Sequence, residues 1–249
     1  MSDPARLRLF QLVSPALPVG AFSYSEGLEV LVQAGRLGRV EALESWLQAE
    51  LQRGAVAVET AALSRLQDQL GCWRAAAAPE APAEAEGPAD PAALTAVREL
   101  LDLDGWLLAQ REAPELRAQQ RQMGQSLLQL LAELEGPLLS GPSAAAIDLR
   151  ALSWPAAFAW AGVCARLASP QLEQAYLYGW TANQISAAVR LVPLGPTDAQ
   201  RLQWQLAPLL SARGEALAAA DPTTLWSAGV GAGLAQLQHA ELYSRLFRS

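Results

Sequence analysis

The chain has 249 residues, 51% hydrophobic and 17% charged, which is ample for a real core and excludes a disordered, self-repelling polymer. Its formal net charge is −7 and all 18 basic residues are arginine, so there is no basic field for nucleic acid or an anionic membrane, and no lysine for a P-loop or a Schiff base. Cys72 and Cys164 form no CxxC pair, so neither a disulfide framework nor a cysteine metal site is indicated, and the single histidine, His239, excludes a multi-histidine metal site within one chain.

Taken in chain order, the sequence predicts helices near 4–13, 24–34, 40–70, 91–111, 115–134, 154–167, 170–191, 198–219 and 223–246. Four starts pair an N-cap residue with a proline at the first helical position: Asp3-Pro4, Asp90-Pro91, Ser169-Pro170 and Asp221-Pro222. Thr197 to Gln200 reads as a capping box. Gly54 and Pro208 are expected to bend or break their helices. Isoleucine occurs only at 147 and 185, and no segment alternates with period two, so a sheet is not expected. The expected fold is an all-α, single-domain helical bundle over 1–249, of about nine to ten helices, with an amphipathic C-terminal tail.

The Ala/Pro/Glu-rich tract at 75–93 reads as an exposed low-complexity loop, and 136–148 as a shorter one. Helix 170–191 is apolar almost all round, through Leu172, Tyr176, Leu177, Trp180, Ile185 and Val189, which predicts a central helix with a buried Trp180. No apolar run reaches the roughly 18 residues of a membrane span, and Arg6, Arg8 and Gln11 interrupt any signal-peptide core, so a cytoplasmic protein is expected.

Candidate chemistry is sparse. Gly229, Gly231 and Gly233 form a G-x-G-x-G run without the strand or the spacing of a dinucleotide site, so it is read as a flexible or close-packed segment. Two readings are open for Ser14 to Glu29, SPALPVGAFSYSEGLE. Ser23 to Glu26 matches a capping box, whereas Glu26 and Glu29 on one helical face beside Gly27 would make a surface for a partner. The ending HAELYSRLFRS, taken as a helix, sets Leu242, Tyr243, Leu246 and Phe247 on one face. That face suits either the chain's own core or a partner's groove, and 237–249 is the candidate docking segment.

Four blocks in order, FQLVSPALPVGAFSYSEGLE, REAPELRAQQRQMG, SAAVRLVPLGPTDAQRL and YSRLFRS, resemble the urease accessory protein family UreF. The resemblance implies an all-α homodimer without enzymatic activity or a stably bound cofactor. Such a protein joins UreD (also called UreH) and the GTPase UreG to insert nickel into apo-urease, its partners handling nickel and GTP. It also implies partner contacts at Tyr24, Glu26, Glu29, His239, Tyr243, Arg245, Leu246, Phe247, Arg248 and Ser249. Ala240 and Leu242 depart from the polar residues usual in that ending, and Pro114 interrupts the second block. A scaffold that gates the GTPase through Glu29, without an arginine finger, is the leading expectation. The alternatives are a metal-carrying chaperone and a helical enzyme using Glu26 and Glu29 as acid and base.

Overall fold

The computed structural model describes residues 3–76, 91–135 and 152–249. Most of the 75–93 tract and all of 136–148 lie outside them, and only the tract's edges are seen, in helices. The described residues form α1 (Asp3–Leu12), α2 (Leu28–Gln33), α3 (Val40–Arg53), α4 (Ala55–Ala76), α5 (Pro91–Ala109), α6 (Pro114–Glu135), α7 (Trp154–Ala165), α8 (Gln171–Leu191), α9 (Pro196–Ala218) and α10 (Val230–His239). Short 3-10 turns lie at Ala21–Ser23 and Pro222–Thr224, and there is no strand among the described residues. The fold is all-α.

The core runs along α4 and α7. Helix α7, WPAAFAWAGVCA, has buried residues from Pro155 through Gly162 because its small side chains let neighbours approach from every side. Helix α4 is buried all round from Val56 to Leu63, then narrows to a stripe of Leu66, Leu70 and Trp73, packing on α3, α5, α7, α8 and α9. Helix α6 lays Leu116, Met123, Leu127, Leu128 and Leu131 along the seam with α7, a spacing of three and four that faces one side. Helix α5 contributes an anchor at the start of α7. Asp104 accepts hydrogen bonds from the Ser153 backbone N–H and hydroxyl, while burial pushes its carboxyl upward.

Several expectations change. The helix drawn at 40–70 does break at Gly54, where a Cβ would run into the Glu50 side chain and backbone, but α4 then continues to Ala76. Helix α9 runs through Pro208 without interruption. No side-chain cap forms at Gly195 or Pro170: Ser169 donates to the Glu173 side chain, and Asp198 pairs with Arg201 in place of a Thr197 box. Asp221 does cap, accepting from the Thr223 N–H at 2.9 Å, but only a 3-10 turn follows. The helix drawn at 223–246 is therefore α10 alone, and residues 240–249 are not helical. Helix α8 packs on α1, α2, α3, α4, α7 and α9, yet Tyr178 and Val189 are exposed and Trp180 is only half-buried. α7 is the more deeply buried helix.

Candidate functional site: a clasped C-terminal tail over a buried acid cluster

The site begins in the irregular entry to α2. Glu26 and Gly27 adopt left-handed backbone, with φ of 49° and 84°, so the helix starts only at Leu28 and the capping box does not form. Gly27 meets two demands. Its φ favours glycine, and a Cβ there would sit 2.9 Å from the Ala232 carbonyl oxygen, so α10 can lie directly on this turn. The turn also separates Glu26 from Glu29, which do not share a helical face.

Glu29 is 2% exposed and gathers the tail. Its Oε1 accepts from the Leu246 N–H at 2.7 Å and its Oε2 from the Phe247 N–H at 3.1 Å. His239 Nε2 stands 3.2 Å from Oε2, and because a carboxylate only accepts, that nitrogen carries the hydrogen. Backbone pairing continues the clasp: Arg248 N–H donates to the Ser23 carbonyl at 2.8 Å, and Ser25 donates through both N–H and hydroxyl to the Ser249 carbonyl at 2.6 and 2.7 Å. Arg190 lies 4.5 Å from the Phe247 ring centroid and donates to the Phe22 carbonyl, closing the cover.

Because 240–249 is irregular, its side chains do not follow helical faces. Phe247 and Ser249 turn inward and are buried, as is His239, while Tyr243, Arg245, Leu246 and Arg248 face solvent. Tyr24 is buried and donates to Gln122 at 3.0 Å. The ten residues expected at a partner surface thus divide into supports (Tyr24, Glu26, Glu29, His239, Phe247 and Ser249) and outward-facing groups.

Beneath the tail lies a second layer that the sequence did not reveal. Ser249 donates its hydroxyl to Gln119 Oε1 at 2.7 Å, and the same amide donates to Glu26 Oε1 at 2.8 Å. Glu26 also accepts from the Trp180 indole N–H at 3.1 Å and lies 3.7 Å from Arg111. Arg111 in turn donates twice to Glu59 Oε1, at 2.8 and 2.6 Å, while Tyr176 donates to Glu59 Oε2 at 2.8 Å. Burial pushes the Glu59 carboxyl up and Arg111 opposes it; burial also works against the charge of Arg111, but Glu59 and Glu26 outweigh it and keep the guanidinium protonated. Glu50 is pushed up to about 7, chiefly by burial and then by Glu26, against Arg111 and Arg53.

Arg111 and Gln119 belong to the second sequence block, but Glu59, Tyr176 and Glu50 were missed. The available signal was Glu59-Thr60 inside the otherwise apolar AVAVETAAL, since a charge in a buried helix needs a partner. The G-x-G-x-G run proves close-packed at two of its glycines: a Cβ at Gly229 would lie 3.1 Å from Glu50 Oε2, and one at Gly233 3.2 Å from Glu112 Oε2. The Glu29 contacts hold the tail, and Glu26 joins its bed through Gln119. Among the described residues no three histidine, cysteine, aspartate or glutamate side chains are grouped to hold a metal ion, and no helix is long and apolar enough to cross a membrane.

The profile of the UreF family matches residues 38–207. The chain is similar to proteins named urease accessory protein UreF from Alkalilimnicola ehrlichii, at 39% identity over 98% of this chain and 96% of that protein, and from Nostoc sp., at 36% over 100% and 98%. A third, from Synechocystis sp., is 34% identical over the whole of both chains. With a family profile matched over most of its core helices and full-length relatives above 30% identity, the chain belongs to the UreF family of urease accessory proteins.

Proposed function

We propose that this protein is a non-catalytic factor that assembles with UreD and UreG homologues and apo-urease for nickel insertion, and that the clasped tail is the surface it presents to them. The observation carrying this reading is the division of the tail. Its backbone is tied down by Glu29, Ser23 and Ser25, while Tyr243, Arg245, Leu246 and Arg248 project outward. Tyrosine and arginine are the residue types that most often dominate interfaces, and a tail held in place beforehand loses less entropy on binding. Partners supply the nucleotide and nickel chemistry, and the factor works in the cytoplasm as a homodimer.

Every oxygen of Glu26 and Glu29 is engaged within the chain, which speaks against the acid–base enzyme reading. Any influence of Glu29 on a GTPase is exerted through the tail it holds, since the carboxylate is buried. The test is retention of UreD and UreG homologues on immobilised protein. Tyr243→Ala combined with Leu246→Ala should leave thermal unfolding unchanged and abolish retention. Glu29→Ala should weaken retention by loosening the same segment, whereas full retention by both variants would overturn the proposal.

A further inference from the structure

A pocket of about 370 Å3 opens beside the acid cluster, between the 12–22 segment, α6 and α8. Its walls include Leu12, Leu17, Met123 and Phe158, its buried end carries Glu26, Glu59, Gln120 and Tyr176, and the exposed rings of Phe22 and Tyr178 stand at its mouth. The size falls within the roughly 300 to 1,000 Å3 of small-ligand sites, which likewise combine apolar walls with a few convergent polar groups.

Two observations say what the buried end lacks. Gln120 is 4% exposed and donates its amide N–H to Glu59 at 3.3 Å, but its Oε1 has no hydrogen-bond partner. A buried acceptor left unpaired costs free energy that a ligand N–H would recover. In addition, the two carboxylates that line the pocket, Glu26 and Glu59, share one guanidinium, Arg111, at 3.7 and 2.6 Å. The missing group is a hydrogen-bond donor carrying positive charge.

We infer that this pocket binds an organic cation, a guanidinium or primary ammonium head on an apolar stem, either as a free small molecule or as the basic side chain of another polypeptide. The head lies in the field of Glu26 and Glu59 and donates to Gln120 Oε1 once that side chain turns toward the pocket, and the stem lies against the leucine, methionine and phenylalanine walls. Trp154 and Trp180 also line the pocket. The inference goes beyond urease maturation, and because binding is read on the isolated chain, it stands or falls separately from that role.

The probe is n-hexylguanidinium, titrated into the purified protein by calorimetry and by tryptophan fluorescence, with hexan-1-ol as the uncharged comparison. Gly179 lines the pocket and a Cβ there meets nothing closer than Val13 Cγ1 at 4.0 Å, so Gly179→Leu fills the space without disturbing the helix. The expected result is saturable binding about tenfold or more tighter than the alcohol, weakened about tenfold or more by Gly179→Leu and by Gln120→Leu, with the melting curve of Gly179→Leu unchanged. A second arm uses the capped tripeptide acetyl-Leu-Arg-Leu-amide. Tighter binding of the peptide than of hexylguanidinium assigns the site to a polypeptide side chain, and the reverse assigns it to a free molecule. Absence of saturable binding by either cation, equal affinity for hexan-1-ol, or affinity unaffected by Gly179→Leu overturns the inference.

Discussion

Replacing Glu50 with glutamine should make the protein more stable at neutral and alkaline pH while changing little in mild acid. Glu50 is partly buried at the end of α3, its carboxylate abutting Gly54 and Gly229, and it titrates near 7 where an ordinary glutamate titrates near 4.5. The folded state therefore holds this proton more tightly than the unfolded chain. Between those two values, raising the pH costs stability, because ionisation is easier after unfolding. A shift of 2.5 units at about 1.36 kcal/mol each sets a ceiling of about 3 kcal/mol, and solvent reaching the half-buried carboxylate reduces it to about 2 kcal/mol. Glutamine removes the titration and keeps the shape, so subtracting wild type from variant cancels the pH dependence of every other group. Urea unfolding at about pH 5 and about pH 8 measures it directly, with the variant's advantage growing by about 1 kcal/mol toward the higher pH, because the unfolded glutamate is already partly ionised at about pH 5. A difference that is constant with pH, or that favours the wild type at pH 8, would show that Glu50 is ionised and well paired, and would refute the burial argument.

Gly27→Ala should destabilise the protein by about 2 kcal/mol or more, since it puts a Cβ on left-handed backbone and 2.9 Å from the Ala232 carbonyl. Hydrogen exchange should then quicken in 230–249 before it quickens in α7, and uniform acceleration would contradict the local clash. Trp180→Ala should cost about 1 to 3 kcal/mol, below the roughly 3 to 5 of a fully buried tryptophan, because the ring is half-buried against Trp46 and bonded to Glu26. Chemical denaturation gives the number, and a loss above about 4 kcal/mol would mean that the ring is the core anchor its sequence suggested.

Local signals made much of this architecture legible. The 3.6-residue spacing of apolar positions and the proline punctuation located α5, α6, α7, α8 and α9 to within a few residues, because helix formation depends on neighbours three and four apart. The same logic failed where distant contacts overrode it. Ser23 to Glu26 had the letters of a capping box, but Glu26 forms its bonds with Gln119 and Trp180, and a left-handed turn at Glu26 and Gly27 makes room for α10. The ending looked like an amphipathic helix because a helix would align Tyr243 with Phe247. Once Glu29 takes the Leu246 and Phe247 N–H groups, the backbone leaves the helical path and sends those two rings in opposite directions.

The sequence by itself determined the helical class, the absence of a lysine-dependent nucleotide site and the family resemblance, since composition, period and ordered motifs are written along the chain. Only the tertiary structure decided which carboxylates are buried, what they hold and which tail residues face outward. Glu29 lies 217 positions from Leu246, and Glu59 lies 52 from Arg111 and 117 from Tyr176. The environment of a buried charge is set by whichever residues the fold brings within a few ångströms of it, and no local pattern records that encounter.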